Sequence, residues 1–179
     1  YHAAAVGSVY IAQLAGLTAI PVLAPQFIAQ YAPAVGYEDV GIFVSQSGET
    51  KDVLNALEAA EKRGMACFGL ANVVGSTLTK ATSFCLPLCC GYEISVPATK
   101  TFTNQVVTSL YLAYRHAGKD TSELLRIPEL MEQTIEMVGP QIEAIAKDIN
   151  EWNDMYCLGY GATYPIALEG ALKLKEITY

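Results

Sequence analysis

Val40-Gly41-Ile42-Phe43-Val44 runs directly into Ser45-Gln46-Ser47-Gly48-Glu49-Thr50, and then into Asp52-Val53-Leu54-Asn55-Ala56-Leu57. The first segment is an apolar run of strand length, and the third has the apolar spacing of a helix. Between them lies a hydroxyl-rich turn with one glycine. A strand, a tight polar turn and a helix start is the way α/β proteins build an anion site. The first N–H groups of a helix have no partner, its dipole favours negative charge there, and hydroxyls add donors. An uncharged turn of Ser45, Gln46, Ser47 and Thr50 suits a phosphate monoester on a small polar molecule. The lysine-bearing GxxxxGK[ST] string of a nucleotide P-loop occurs nowhere in the chain.

Outward from this stretch the same alternation recurs. Residues 2–17 read as an alanine-rich helix. Pro21-Val22-Leu23-Ala24 reads as a short strand, and Gln26 to Tyr31 as a short helix closed by Pro33. Thr50 to Gly64 reads as a helix ending at a glycine. Strand Ala66–Leu70, a short helix over 76–82 and strand Phe84–Leu88 follow, then a long helix from Thr99 to Ala117. Near-continuously apolar strands alternating with helices predict an α/β fold: a doubly wound parallel sheet with helices on both faces. Ligands of such sheets bind at the carboxyl ends of strands, where the Ser45–Thr50 turn falls. Two mixed-charge helices, about 121–137 and 141–152 with Gly139-Pro140 between them, read as connecting helices. A strand Met155–Gly159 and a glycine turn into a helix around Pro165 then open a second, similar lobe.

Composition limits what the chain can do. It has 179 residues, 52% hydrophobic and 16% charged, enough for a full core and too apolar for disorder. Its net charge of −7 repels a phosphorylated ligand at long range, so local dipoles and hydroxyls must hold one. No cluster of Lys and Arg with aromatic residues suggests nucleic acid, and no apolar run approaches the ~20 residues of a membrane span. The five cysteines, Cys67, Cys85, Cys89, Cys90 and Cys157, are odd in number and lack zinc spacing, so they read as reduced thiols in a cytoplasmic protein. The chain opens at Tyr1 inside a helical pattern without an initiator Met, as a piece of a longer chain would.

Four strings occur in order: Ser45-Gln46-Ser47-Gly48-Glu49-Thr50, Asn72-Val73-Val74-Gly75-Ser76, Ala98-Thr99-Lys100 and Leu168-Glu169-Gly170-Ala171-Leu172-Lys173-Leu174-Lys175-Glu176. Together they resemble the isomerase part of the glutamine:fructose-6-phosphate aminotransferases (glucosamine-6-phosphate synthases), two-lobed enzymes of sugar isomerase (SIS) domains. The resemblance implies a first SIS domain over 1–118 lacking its first strand, connecting helices over 119–153, and the start of a second SIS domain over 154–179. It implies that Ser45, Gln46, Ser47 and Thr50 hold the phosphate of fructose 6-phosphate and that Val96 lends a backbone carbonyl. Glu176 would move a proton between C1 and C2, with Lys173 beside the developing negative charge. No metal or organic cofactor is implied. The implied partners are a sugar phosphate, a glutaminase domain of the parent chain and a second copy in a homodimer. A further sugar-phosphate turn would precede Tyr1, and an active-site histidine and a Schiff-base lysine would lie beyond Tyr179.

Other readings stay open. Val96-Pro97-Ala98-Thr99-Lys100 has alanine where the synthases carry a serine, which resembles relatives that deaminate or isomerise sugar phosphates without a glutaminase. A non-catalytic SIS module that senses a sugar phosphate is the alternative from another class. Taken without the resemblance, Glu169, Lys173 and Glu176 are an ion-pair stripe at i, i+4 and i+7 on one helical face. Thr50 or Ser47 could be an ordinary helix N-cap. Glu49, in the first turn of the helix, reads as serving its dipole, and His2 and His116 as isolated histidines without a metal role.

Overall fold

The computed structural model describes residues 1–178. Helix α1 (His2–Ala15) ends at Gly16, whose φ of +67° closes it in the left-handed conformation. A short α2 (Ala24–Gln26) widens into a π-helical turn over Phe27–Tyr31. Then come β1 (Val40–Ser45), α3 (Lys51–Glu61), β2 (Ala66–Ala71), α4 (Thr77–Ala81) and β3 (Phe84–Pro87). Helix α5 (Lys100–His116) is followed by a 3-10 turn (Ser122–Arg126), α6 (Ile127–Ile149) and α7 (Thr163–Thr178).

The three strands form one parallel sheet in the order β1-β2-β3. Val40 pairs with Ala66 and Ser45 with Ala71, while Phe68 pairs with Phe84. The predicted α/β class holds, because each strand feeds a helix that returns across the sheet. One face carries the main core: Phe43, Cys67 and Ala71 pack against Ala56, Leu57 and Ala60 of α3 and Leu78 of α4. Alternation along β1 produces this, since Gly41, Phe43 and Ser45 point to one side. Burial pushes the Cys67 thiol up to about 11, with Glu61 adding to the shift, so it stays protonated and inert. The other face is covered at its carboxyl end, where Leu70 is buried, and open at its amino end, where Val40, Ile42 and Phe84 are exposed.

Helix α1 lies against α5 at a close approach. A methyl on Gly7 would come within 2.8 Å of Ser109 Cβ, so glycine there sets the helix separation. Val6, fully buried, and Ala113 fill the same contact region.

Three expectations about elements need correction. Pro21–Ala24 is not a strand, and neither is Met155–Gly159; both lie outside any ladder. A strand exists by its pairing, and neither run finds a partner among the described residues: Tyr156 and Leu158 are each 88% exposed. Cys157 therefore sits in irregular chain, not in a strand. The two predicted connecting helices are one, because α6 runs unbroken through Gly139-Pro140. Pro140 removes one helical N–H, and on a helix with no buried residue water can take up the carbonyl it frees. No described helix is long and apolar enough to cross a membrane.

Candidate functional site

Ser45, the last residue of β1, is only 5% exposed and anchors the turn. Gly48 N–H donates to Ser45 Oγ at 3.0 Å, and Ser45 Oγ lies 2.9 Å from Thr50 Oγ1. Glu49 N–H donates to Ser47 Oγ at 3.1 Å. Ser47 Oγ thus acts as an acceptor inside the turn, which leaves its own proton to be given outward. Either hydroxyl can donate in the Ser45–Thr50 pair; with Ser45 as donor, the exposed Thr50 keeps a proton for a ligand.

Thr50 is the N-cap residue of α3, yet no side chain caps the helix. The ordinary N-cap alternative therefore fails for this turn: Thr50 turns its hydroxyl to Ser45, and Ser47 bonds the Glu49 N–H within the turn. The first N–H groups of α3 keep no side-chain acceptor, which leaves the positive end of the helix beside these hydroxyls.

The loop after β2 braces the turn. Asn72 N–H donates to the Gln46 carbonyl and Leu78 N–H to the Gly48 carbonyl, each at 3.0 Å. Glu49 does not serve the start of its own helix. Its carboxylate accepts the Thr77 N–H and the Thr77 hydroxyl, both at 2.7 Å, at the start of α4. The backbone bond from Thr77, followed by its hydroxyl bond, holds Glu49 below the usual carboxylate range, so it is ionised at neutral pH. This clasp also draws a negative charge away from the mouth of the turn.

Gly48 is the one residue of the turn that must be glycine. Its φ is +68°, and an added Cβ would sit 2.7 Å from Ser76 Cβ and closer still to the Ser76 hydroxyl. Gly48→Ala is expected to lower stability by about 1–3 kcal/mol through backbone strain. Overlap with Ser76 should add about as much again. The urea unfolding midpoint of the variant, measured against wild type, checks this; an unchanged midpoint would contradict the left-handed turn.

The β3 exit loop is tied to the same rim. Asn72 Nδ2–H donates to the Gly91 carbonyl at 2.7 Å and Cys90 N–H donates to Asn72 Oδ1 at 3.0 Å. Asn104 of α5 donates to the Leu88 carbonyl at 2.9 Å. Glu93 accepts the N–H and hydroxyl of Thr101, at 3.0 and 2.9 Å, and so caps α5. That cap fixes one end of the 94–99 segment, where Val96 is 85% exposed.

The second cluster stands on α7. Lys173 Nζ lies 2.5 Å from Glu176 Oε2 and 3.5 Å from Glu169 Oε1. Burial alone would lower Lys173, but the bonds and charges of Glu176 and Glu169 outweigh it and hold the ammonium above its ordinary value. Glu169 Oε2 is also 2.8 Å from His2 Nδ1 of α1, so His2 is not isolated. Among the described residues no hydrogen bond joins this cluster to the Ser45–Thr50 turn. Sequence reasoning missed Asn72, Glu93 and the Glu49–Thr77 clasp as supports. Only Asn72 carried a signal, as the first residue of the Asn72–Ser76 string.

A parallel sheet with an uncapped helix start and a hydroxyl-lined turn at a strand's carboxyl end defines an α/β domain with a candidate anion site. The SIS domain family model matches residues 1–115, and the chain belongs to that family. It is 42% identical over 170 residues to the glutamine--fructose-6-phosphate aminotransferase [isomerizing] of Pyrobaculum aerophilum, covering 91% of this chain and 28% of that protein. To the enzyme of the same name from Aquifex aeolicus it is 41% identical, over 100% of this chain and 30% of that protein. The chain thus spans less than a third of these relatives. The C-terminal domain of glucosamine-fructose-6-phosphate aminotransferase from Francisella tularensis matches the whole chain at a TM-score of 0.85 and 26% identity, over 53% of its own length. Glucosamine-6-phosphate deaminase from Thermotoga maritima shares the fold at a TM-score of 0.84 and 24% identity, over 96% of this chain and 53% of that one.

Proposed function

We propose that this chain is the sugar-phosphate isomerase portion of a cytoplasmic glucosamine-6-phosphate synthase. The observation that carries the reading is the uncapped start of α3 ringed by the Ser47 and Thr50 hydroxyls, in a chain 42% identical to an isomerizing aminotransferase. The parent converts fructose 6-phosphate and glutamine-derived ammonia to glucosamine 6-phosphate. Residues 1–118 form the first SIS lobe, 119–153 connect, and 154–179 begin the second. A glutaminase domain in the same parent supplies the ammonia, and the working form is a homodimer.

In this reading Ser45, Gln46, Ser47, Thr50 and the α3 N–H groups hold the phosphoryl oxygens, with buried Ser45 also shaping the turn from beneath. Val96 offers its carbonyl to a sugar hydroxyl. The ketose binds in open-chain form, and ammonia replaces the C2 oxygen with loss of water. Glu176, as carboxylate, takes a proton from C1 and returns it to C2, while the C1 hydroxyl gives up its proton and the imine nitrogen gains one, so the ketose imine becomes the amino aldose. Lys173 stabilises the negative charge that builds up as C1 loses its proton.

The test is calorimetric titration of the full-length protein with fructose 6-phosphate and with fructose, followed by product analysis with glutamine present. The phosphorylated sugar is expected to bind at least about 100-fold more tightly, since two or more charge-assisted bonds are each worth ~1.5–3 kcal/mol. Glucosamine 6-phosphate is the expected product. Equal affinity for the two sugars removes the phosphate cradle. Binding without turnover indicates a sensing module, and turnover only in the deaminating or isomerising direction indicates a glutaminase-free relative.

A further inference from the structure

A hydrogen bond from His2, on the first turn of α1, ties the α7 cluster to the sheet-bearing lobe. Its ring is 19% exposed and the Glu169 side chain 14%, so the bond between them is largely shielded from water. An ionised carboxylate only accepts, so the Nδ1–H of His2 is the donor. The Tyr1 ring packs edge-to-face with the imidazole, with centroids 5.4 Å apart. With Oε2 of Glu169 engaged by His2, the other oxygen, Oε1, faces Lys173 at 3.5 Å. Lys173 is then left to make its short contact, 2.5 Å, with Glu176.

A lysine on a helix has four rotatable bonds and carboxylates at both i−4 and i+3 to choose between. Anchoring the i−4 partner from a different helix removes that choice. Resting on the proposed function above, we propose that His2 is a positioning residue. Through Glu169 it sets the Lys173 ammonium against Glu176, so that helix α1 governs the geometry of the proton-transferring pair on α7. Nothing in the role requires His2 to exchange a proton; it requires a donor at the position of Nδ1.

The predicted signature separates positioning from packing. In the full-length enzyme, His2→Leu keeps ring-sized bulk and loses the donor. It should lower kcat for amino-sugar formation about 10- to 100-fold, the scale of a misplaced catalytic group. KM for fructose 6-phosphate should stay within about threefold, because the phosphate is held at the turn after β1 and not by α1 or α7. His2→Asn places an amide N–H where Nδ1 stands and should restore kcat to within about threefold of wild type, whereas His2→Gln, whose amide extends one bond further, should not. If His2→Leu does not fold, the Asn and Gln variants carry the comparison alone. An unchanged kcat in His2→Leu or His2→Gln overturns the proposal. So does a loss that Asn fails to repair, or one that tracks the thermal unfolding temperature in place of the donor. Wild-type enzyme that binds fructose 6-phosphate without turnover overturns the functional reading first, and is distinguished from failure of the His2 role by that control.

Discussion

Glu176→Gln in the full-length enzyme is expected to cut glucosamine 6-phosphate formation by about 10²- to 10⁴-fold, the usual contribution of a positioned general acid–base. At 1.36 kcal/mol per decade this is a barrier increase of roughly 3–5 kcal/mol. The amide matches the carboxylate in size and can still accept a hydrogen bond from Lys173, so the ion-pair geometry is only partly disturbed. What it cannot do is take a proton from carbon. The loss should therefore fall on kcat, with KM for fructose 6-phosphate moving little, because an interaction used only in the transition state has gone. Glutamine hydrolysis, assayed as glutamate release, should continue. Exchange of the C1 proton of the sugar into deuterated water should stop in the variant and proceed in wild type. Amino-sugar production at the wild-type rate would exclude Glu176 as the proton carrier.

The same residue shows how far a sequence can be read. Glu169, Lys173 and Glu176 have the spacing of a solvated stripe, and periodicity alone favours that description. The structure adds a contact from His2, 167 residues away in sequence, which no local pattern encodes. The Glu49–Thr77 clasp spans 28 residues and is hidden for the same reason. A carboxylate just ahead of α3 looks like a dipole partner until the next helix start is placed beside it. By contrast, the Ser45–Thr50 turn was legible because everything it needs is local: an apolar strand, a glycine able to take φ of +68°, and a helix start.

Strands divide along the same line. Val40–Ser45 forms a strand over the apolar run Val40–Val44 and one residue beyond because β2 lies in register beside it over six pairs. Pro21–Ala24 and Met155–Gly159 have comparable apolar character, but strand character is a property of pairs, and their sequence says nothing about who pairs with them. Gly139-Pro140 misled in the opposite direction. Proline inside a helix is costly where the freed carbonyl is buried, and α6 buries none of its residues.

Ser47→Ala is expected to raise the Kd for fructose 6-phosphate by about 10- to 100-fold, since one hydrogen bond to a charged group is worth ~1.5–3 kcal/mol. Ser47 is the sharpest probe of the turn. Ser45 is buried and bonded on two sides, so its loss would deform the turn and weaken binding for reasons unrelated to donation. Ser47 has a single bond within the turn, as acceptor from Glu49 N–H at 3.1 Å, and its own proton is uncommitted there. Removing the hydroxyl leaves an exposed N–H that water can satisfy, so the unfolding midpoint should shift by less than ~1 kcal/mol in stability. Ser47→Thr keeps the hydroxyl and should bind within about threefold of wild type. Affinity for fructose without its phosphate should be the same in all three proteins, because the Ser47 hydroxyl serves the phosphoryl group and not the sugar. Calorimetric titration resolves these cases. Equal Kd values for fructose 6-phosphate in wild type and Ser47→Ala would mean that the hydroxyl points at solvent in the complex, and the phosphate would have to be sought at another strand end.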